Sequence, residues 1–159
     1  MQQKSWLNHA VRLSSSIATL ALVVMMLISV ADVAMATFFK HPITGTYDIV
    51  ETTLVFAVFL GIPATFQNNG NIVVDVIDYF VSPATIKRLK MLAAITSFVF
   101  LVLLVWNMLP QAQDAYRFGD RKPELHLPFY VLWIPMLVGT SLAALAVVDA
   151  AFRKSRGEA

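Results

Sequence analysis

Four long apolar stretches with almost no charge decide what this chain can become. They cover about 16–39, 52–67, 91–110 and 129–152, and the first carries one charge, Asp32. A helix of about 20 mainly apolar residues crosses ~30 Å of hydrocarbon. The second stretch is the shortest, and Gly61-Ile62-Pro63 predicts a kink within it. The apolar runs are continuous rather than alternating, which favours helices over a membrane barrel. Composition agrees, since 58% of the 159 residues are hydrophobic and 14% charged, against about 25% charged in soluble domains. A globule this small leaves too much surface exposed to hide that apolar excess. The expectation is an all-α integral membrane protein of one domain, residues 1–159, with four transmembrane helices and a short amphipathic interfacial helix between the second and third.

The first stretch follows Lys4 and Arg12, as a signal peptide would, and Ala34-Met35-Ala36 resembles a cleavage site. Its apolar run exceeds the roughly 7–15 residues of a signal core, so a retained span is expected. With no cysteine in the chain, disulfides and thiolate chemistry are excluded. A net charge of +2 gives no footing for nucleic acid.

Direction follows from the cations. With the N-terminus in the cytoplasm, Lys4, Arg12, Lys87, Arg88, Lys90, Arg153, Lys154 and Arg156 lie inside, and Lys40, Arg117, Arg121 and Lys122 outside. Inside-positive loops place both termini in the cytoplasm of a multi-pass protein. Between the second and third spans, positions 72, 73, 76, 77 and 80 share one helical face, with Asp75 and Asp78 opposite. This predicts an amphipathic helix over about 72–81, too short to span. Its acidic polar face suits a protein neighbour as much as lipid. Ser82-Pro83 then reads as the start of the next helix, which carries Lys87, Arg88 and Lys90 within reach of anionic headgroups.

The polar residues offer little chemistry. Asp32 is the one charge well inside a span, and an intramembrane acid is a functional candidate. It lies less than two turns from the outer end, so pairing, capping or a partner contact is expected rather than an ion relay. Asp48 and Glu51 stand three apart at the head of the second span, the spacing of a capping box; an interface salt bridge is the other reading. His9, His41 and His126 share no helix face and none lies at mid-membrane depth, so a haem site with paired ligands is not expected. Trp6, Trp106, Trp133 and Tyr130 read as an aromatic belt, and Gln67 to Asn71 as a polar turn. There is no phosphate loop, no HExxH and no Ser-His-Asp set. The midplane lacks the polar groups of an autonomous transporter. No enzyme activity, cofactor or metal is expected.

Three segments then resemble a known family over about 13–152. A short loop, Lys40-His41-Pro42-Ile43-Thr44-Gly45, leads to Glu51 at the head of the second span. A polar turn leads to Asn71-Ile72-Val73-Val74-Asp75, with Asn71 where the family often has histidine. The most specific run is Gly119, then Glu124-Leu125-His126-Leu127-Pro128-Phe129-Tyr130, then Ile134-Pro135 and Gly139. Together they are similar to the small permease subunit of tripartite ATP-independent periplasmic (TRAP) transporters, the DctQ type. The resemblance implies two protein partners, a large permease subunit with the substrate and sodium sites and a periplasmic substrate-binding protein. It implies uptake of an organic acid across the bacterial inner membrane, with this chain as scaffold. Interface residues with partner or lipid would include Asp32, Asp48, Glu51, Asn71, Asp75, Lys87, Arg88, Lys90, Arg121, Pro128 and Pro135. Ala57, Gly61 and Ala64 offer a small-residue stripe for helix packing. Two other readings compete with this one. A small four-helix exporter would want a more central acid than Asp32, and a redox-enzyme membrane anchor would want paired intramembrane histidines.

Overall fold

The computed structural model describes residues 2–67 and 83–155, with side chains described over 6–67 and 85–151 except Lys87. The amphipathic helix expected over 72–81, with Asn71 and Asp75, lies outside those residues. Among the described residues there are four helices, α1 (Gln2–Phe39), α2 (Thr46–Gln67), α3 (Pro83–Phe118) and α4 (Tyr130–Ser155). Each contains a stretch long and apolar enough to cross a membrane. They neighbour one another in the order α1, α2, α4, α3, so α2 and α4 form the middle of a row and α1 and α3 flank it.

The helices outrun the apolar stretches for readable reasons. α1 extends back through polar residues because its lower turns are anchored. Asn8 Oδ1 accepts a hydrogen bond from Gln67 Nε2 at 2.7 Å, and Val11, Ser14, Ala18 and Ala21 form a buried stripe at the 3–4 residue spacing of one helix face. Ser14 Oγ donates to the carbonyl of Val11, so its burial leaves no hydroxyl unpaired. α3 starts on Pro83, whose missing N–H costs nothing in a first turn. It runs on through Pro110, which has no N–H for the carbonyl of Trp106. It stops where Gly119 takes φ 65°, the left-handed position that commonly ends helices.

The middle pair meets at unusually close range. A Cβ on Gly139 of α4 would stand 2.0 Å from the carbonyl oxygen of Phe59 on α2, so only glycine lets the backbones approach this far. Phe59 is also the residue whose carbonyl faces the nitrogen of Pro63, four residues on, which has no proton to donate. The glycine therefore packs against the one carbonyl of that turn that its own helix under-serves. Pro63 and Pro135 are both fully buried. Lower down, Leu101 of α3 packs with Ala143, Ala144 and Val147 of α4, joined by Ile62, Phe66, Ala94 and Leu104. Of the expected small stripe, Ala57 is buried, and a Cβ on Gly61 would lie 3.9 Å from that of Ala18, within ordinary contact.

Candidate functional site

A set of long-range polar contacts gathers at one end of the row, where the 40–45 and 119–129 loops meet. α1 terminates at Lys40, held at φ 57°, and the chain folds back until the amide of Ile43 donates to Asp32 Oδ1 at 2.7 Å. Asp32 thus ties its own helix to the returning loop, the structural pairing expected from its position. Gly45 then takes φ 88°, a conformation that suits glycine. A Cβ there would also press to 2.8 Å from Leu125 Cδ2.

Residues 120–129 form a small hairpin-like turn. Phe129 N donates to Asp120 O at 2.9 Å, Lys122 N to Leu127 O at 2.8 Å and His126 N to Lys122 O at 3.0 Å. Arg121 and Pro128 face each other as an antiparallel bridge. Pro123 opens the turn and His126 closes it at φ 54°, in the left-handed region where histidine is tolerated better than most residues. The turn leaves the amides of Glu124 and Leu125 directed at α2.

Asp48 answers them. Its carboxylate is 1% exposed, and Oδ2 accepts from Glu124 N at 3.0 Å and Leu125 N at 2.9 Å. Glu124 reciprocates, with Oε2 accepting from Gly45 N at 2.8 Å. One turn along α2, Glu51 Oε2 pairs with Lys122 Nζ at 2.5 Å, and the ammonium lies 5.7 Å from the centroid of the Phe129 ring. The spacing of Asp48 and Glu51 suggests a capping box, but both acids reach across to the 119–129 loop instead of back to their own helix. The reason is local. α2 already begins at Thr46, ahead of Asp48, with Ile49 N bonded to Gly45 O at 3.1 Å, while the Lys122 ammonium across the gap is 1% exposed and needs a partner. Buried charges and amides need such partners.

The other expected site residues scatter. Arg121 is exposed and Pro128 half-buried, both serving the hairpin; Pro135 is buried near the start of α4; Arg88 is exposed and Lys90 half-buried at the far end of α3. Lys87 lies in α3 without a described side chain, and Asn71 and Asp75 lie outside the described residues. Lys122 and Glu124, which complete the latch, were legible only as loop charges. Their partners lie 71 and 76 or more residues away, and no local pattern announces such pairing. Among the described residues no cluster of His, Cys, Asp or Glu could hold a metal ion.

Between the two ends, long stretches of the helices carry no ionisable group. None occurs from 13 to 31 on α1, 52 to 67 on α2, 91 to 113 on α3 or 131 to 148 on α4. Residues 25–157 match the model of the family described as Tripartite ATP-independent periplasmic transporters, DctQ component. The chain belongs to this family. It is therefore the small membrane subunit of a TRAP transporter, a multi-pass transporter component of a family that works with a large permease and a soluble binding protein. No curated protein matches the chain.

Proposed function

We propose that this TRAP subunit is a fixed scaffold for a large, sodium-coupled permease subunit that takes up an organic acid delivered by a periplasmic binding protein. It resides in the bacterial inner membrane with both termini in the cytoplasm, which puts the Asp48–Lys122 latch on the periplasmic side. The observation that carries this reading is the run of residues without an ionisable group on each helix, 13–31, 52–67, 91–113 and 131–148. A carrier of ions or carboxylates needs polar groups near the midplane. This chain offers none there that ionises.

Rigidity supports the same role. The latch ties the loop before α4 to the heads of α1 and α2 through charge-assisted hydrogen bonds. The Gly139–Phe59 crossing locks α2 to α4 below it. The flanking helices turn rows of large apolar side chains outward, among them Leu20, Leu27 and Val30 on α1 and Leu92, Phe100 and Trp106 on α3, where lipid or a partner helix covers them.

Sodium-driven uptake of a radiolabelled organic acid into proteoliposomes tests the assignment. The chain is assayed alone, with its large partner, and with partner and binding protein. Uptake only in the complete mixture is expected. Uptake by this chain alone would overturn the scaffold reading and turn attention to Asp32.

A further inference from the structure

α2 is short between its polar ends, and both ends are held. Glu51 keeps 40% of its side chain exposed while it pairs with Lys122. A carboxylate that exposed belongs among headgroups or in water, not among acyl chains. At the other end Gln67 Nε2 donates to Asn8 Oδ1 of α1. From Glu51 to Gln67 the helix rises about 24 Å. α3 gives the same measure from other residues. Lys90 stands half-buried near its start, and Asn107 and Gln111 are both exposed. Their side-chain amides donate to carbonyls of their own helix, those of Leu103 and Asn107. Trp106, 73% exposed, precedes Asn107, as an aromatic side chain at a membrane boundary would. From Lys90 to Asn107 the rise is about 25 Å. Tilting either helix only lowers these figures.

The hydrocarbon of a typical bilayer is ~30 Å thick. A span shorter than that either sends its flanking polar side chains outward or draws the two lipid surfaces together. The first course is closed to α2. Glu51 is committed to an ammonium that is 1% exposed, and Asp48, also 1% exposed, to two loop amides. Gln67 is committed to Asn8. The longer α1 has no ionisable group from 13 to 31; it can fit a thin bilayer by tilting, with exposed Arg12 reaching the headgroups along its own stem. We propose that this chain thins the bilayer around it to about 24 Å of hydrocarbon, and so takes short-chain phospholipids as its preferred neighbours. On the scaffold reading above, a carrier seated beside it then has less hydrocarbon to cross.

Tryptophan fluorescence of the full chain, reconstituted alone, tests the thinning without reference to any partner. Trp6 and Trp106 are 63% and 73% exposed, where a dibrominated phosphatidylcholine quenches them. Monounsaturated phosphatidylcholines with chains of about 14 to about 22 carbons then compete with it, and the relief of quenching gives their relative affinities. The maximum is expected at about 14 to 16 carbons, with affinity roughly twofold or more above that at about 20 carbons. A maximum at about 18 carbons or beyond, or no dependence on chain length, would overturn the proposal. Neither result touches the scaffold reading, which the uptake assay decides.

Discussion

α2 and α4 have 22 and 26 residues and meet backbone to backbone, with Gly139 set against Phe59 and prolines buried on both. α1 and α3 have 38 and 36 residues and turn Leu, Val, Phe and Trp side chains outward. The middle pair is built on close approach, which tolerates no added atom. The flanking pair is built on length and apolar surface, which tolerates change in the isolated chain and matters where something covers it. One chain thus separates what holds its own fold from what it offers to its surroundings.

That contrast predicts a ranking of mutational effects, read as thermal unfolding of the detergent-solubilised chain. Gly139→Val is expected to be the most damaging, by about 3 kcal/mol or more, since the new side chain meets the α2 backbone and neither helix can yield without moving its neighbours. A melting temperature close to wild type would show that the middle crossing is not the fold's tight point.

The latch comes next, and it is asymmetric. Lys122 is buried while the Glu51 side chain is 40% exposed. Glu51→Ala strands a buried ammonium and is expected to cost about 3 kcal/mol. Lys122→Met removes the buried charge and leaves a carboxylate that water can reach, at a cost of about 1 kcal/mol. Equal losses from the two variants would contradict the burial difference. Asp48→Ala leaves the Glu124 and Leu125 amides without their acceptor, for about 2 kcal/mol. Smallest is Leu20→Ala on the outward face of α1, expected within about 0.5 kcal/mol of wild type. A large loss there would place the face inside the chain's own fold.

Much of this was legible in the sequence, and the exceptions have physical causes. The four spans follow from hydropathy because lipid demands satisfied backbone over a fixed thickness. Helix ends were less legible. The apolar run of α1 begins near Ser16, yet the helix begins at Gln2, because Asn8, Val11 and Ser14 find partners that hydropathy does not count. α3 passes Pro110 and the polar Gln111–Asp114 because helical backbone persists in water once the preceding turns are fixed. The stop at Gly119 was there to be read. The latch was not. Asp48 and Glu51 have the spacing of a cap, and only the fold brings Lys122 and two distant amides within reach.

The central claim is that this chain keeps one rigid shape while the transporter around it works, and a distance within the chain measures that directly. The chain has no cysteine, so Tyr47→Cys and Phe118→Cys, at exposed positions near the outer ends of α2 and α3, accept spin labels cleanly. Pulsed electron-electron resonance on the complete complex, with and without sodium and substrate, reports their separation. The account predicts one narrow distribution that is the same in every condition. A second population that grows with sodium and substrate would mean that this subunit deforms during the transport cycle, contradicting a rigid scaffold.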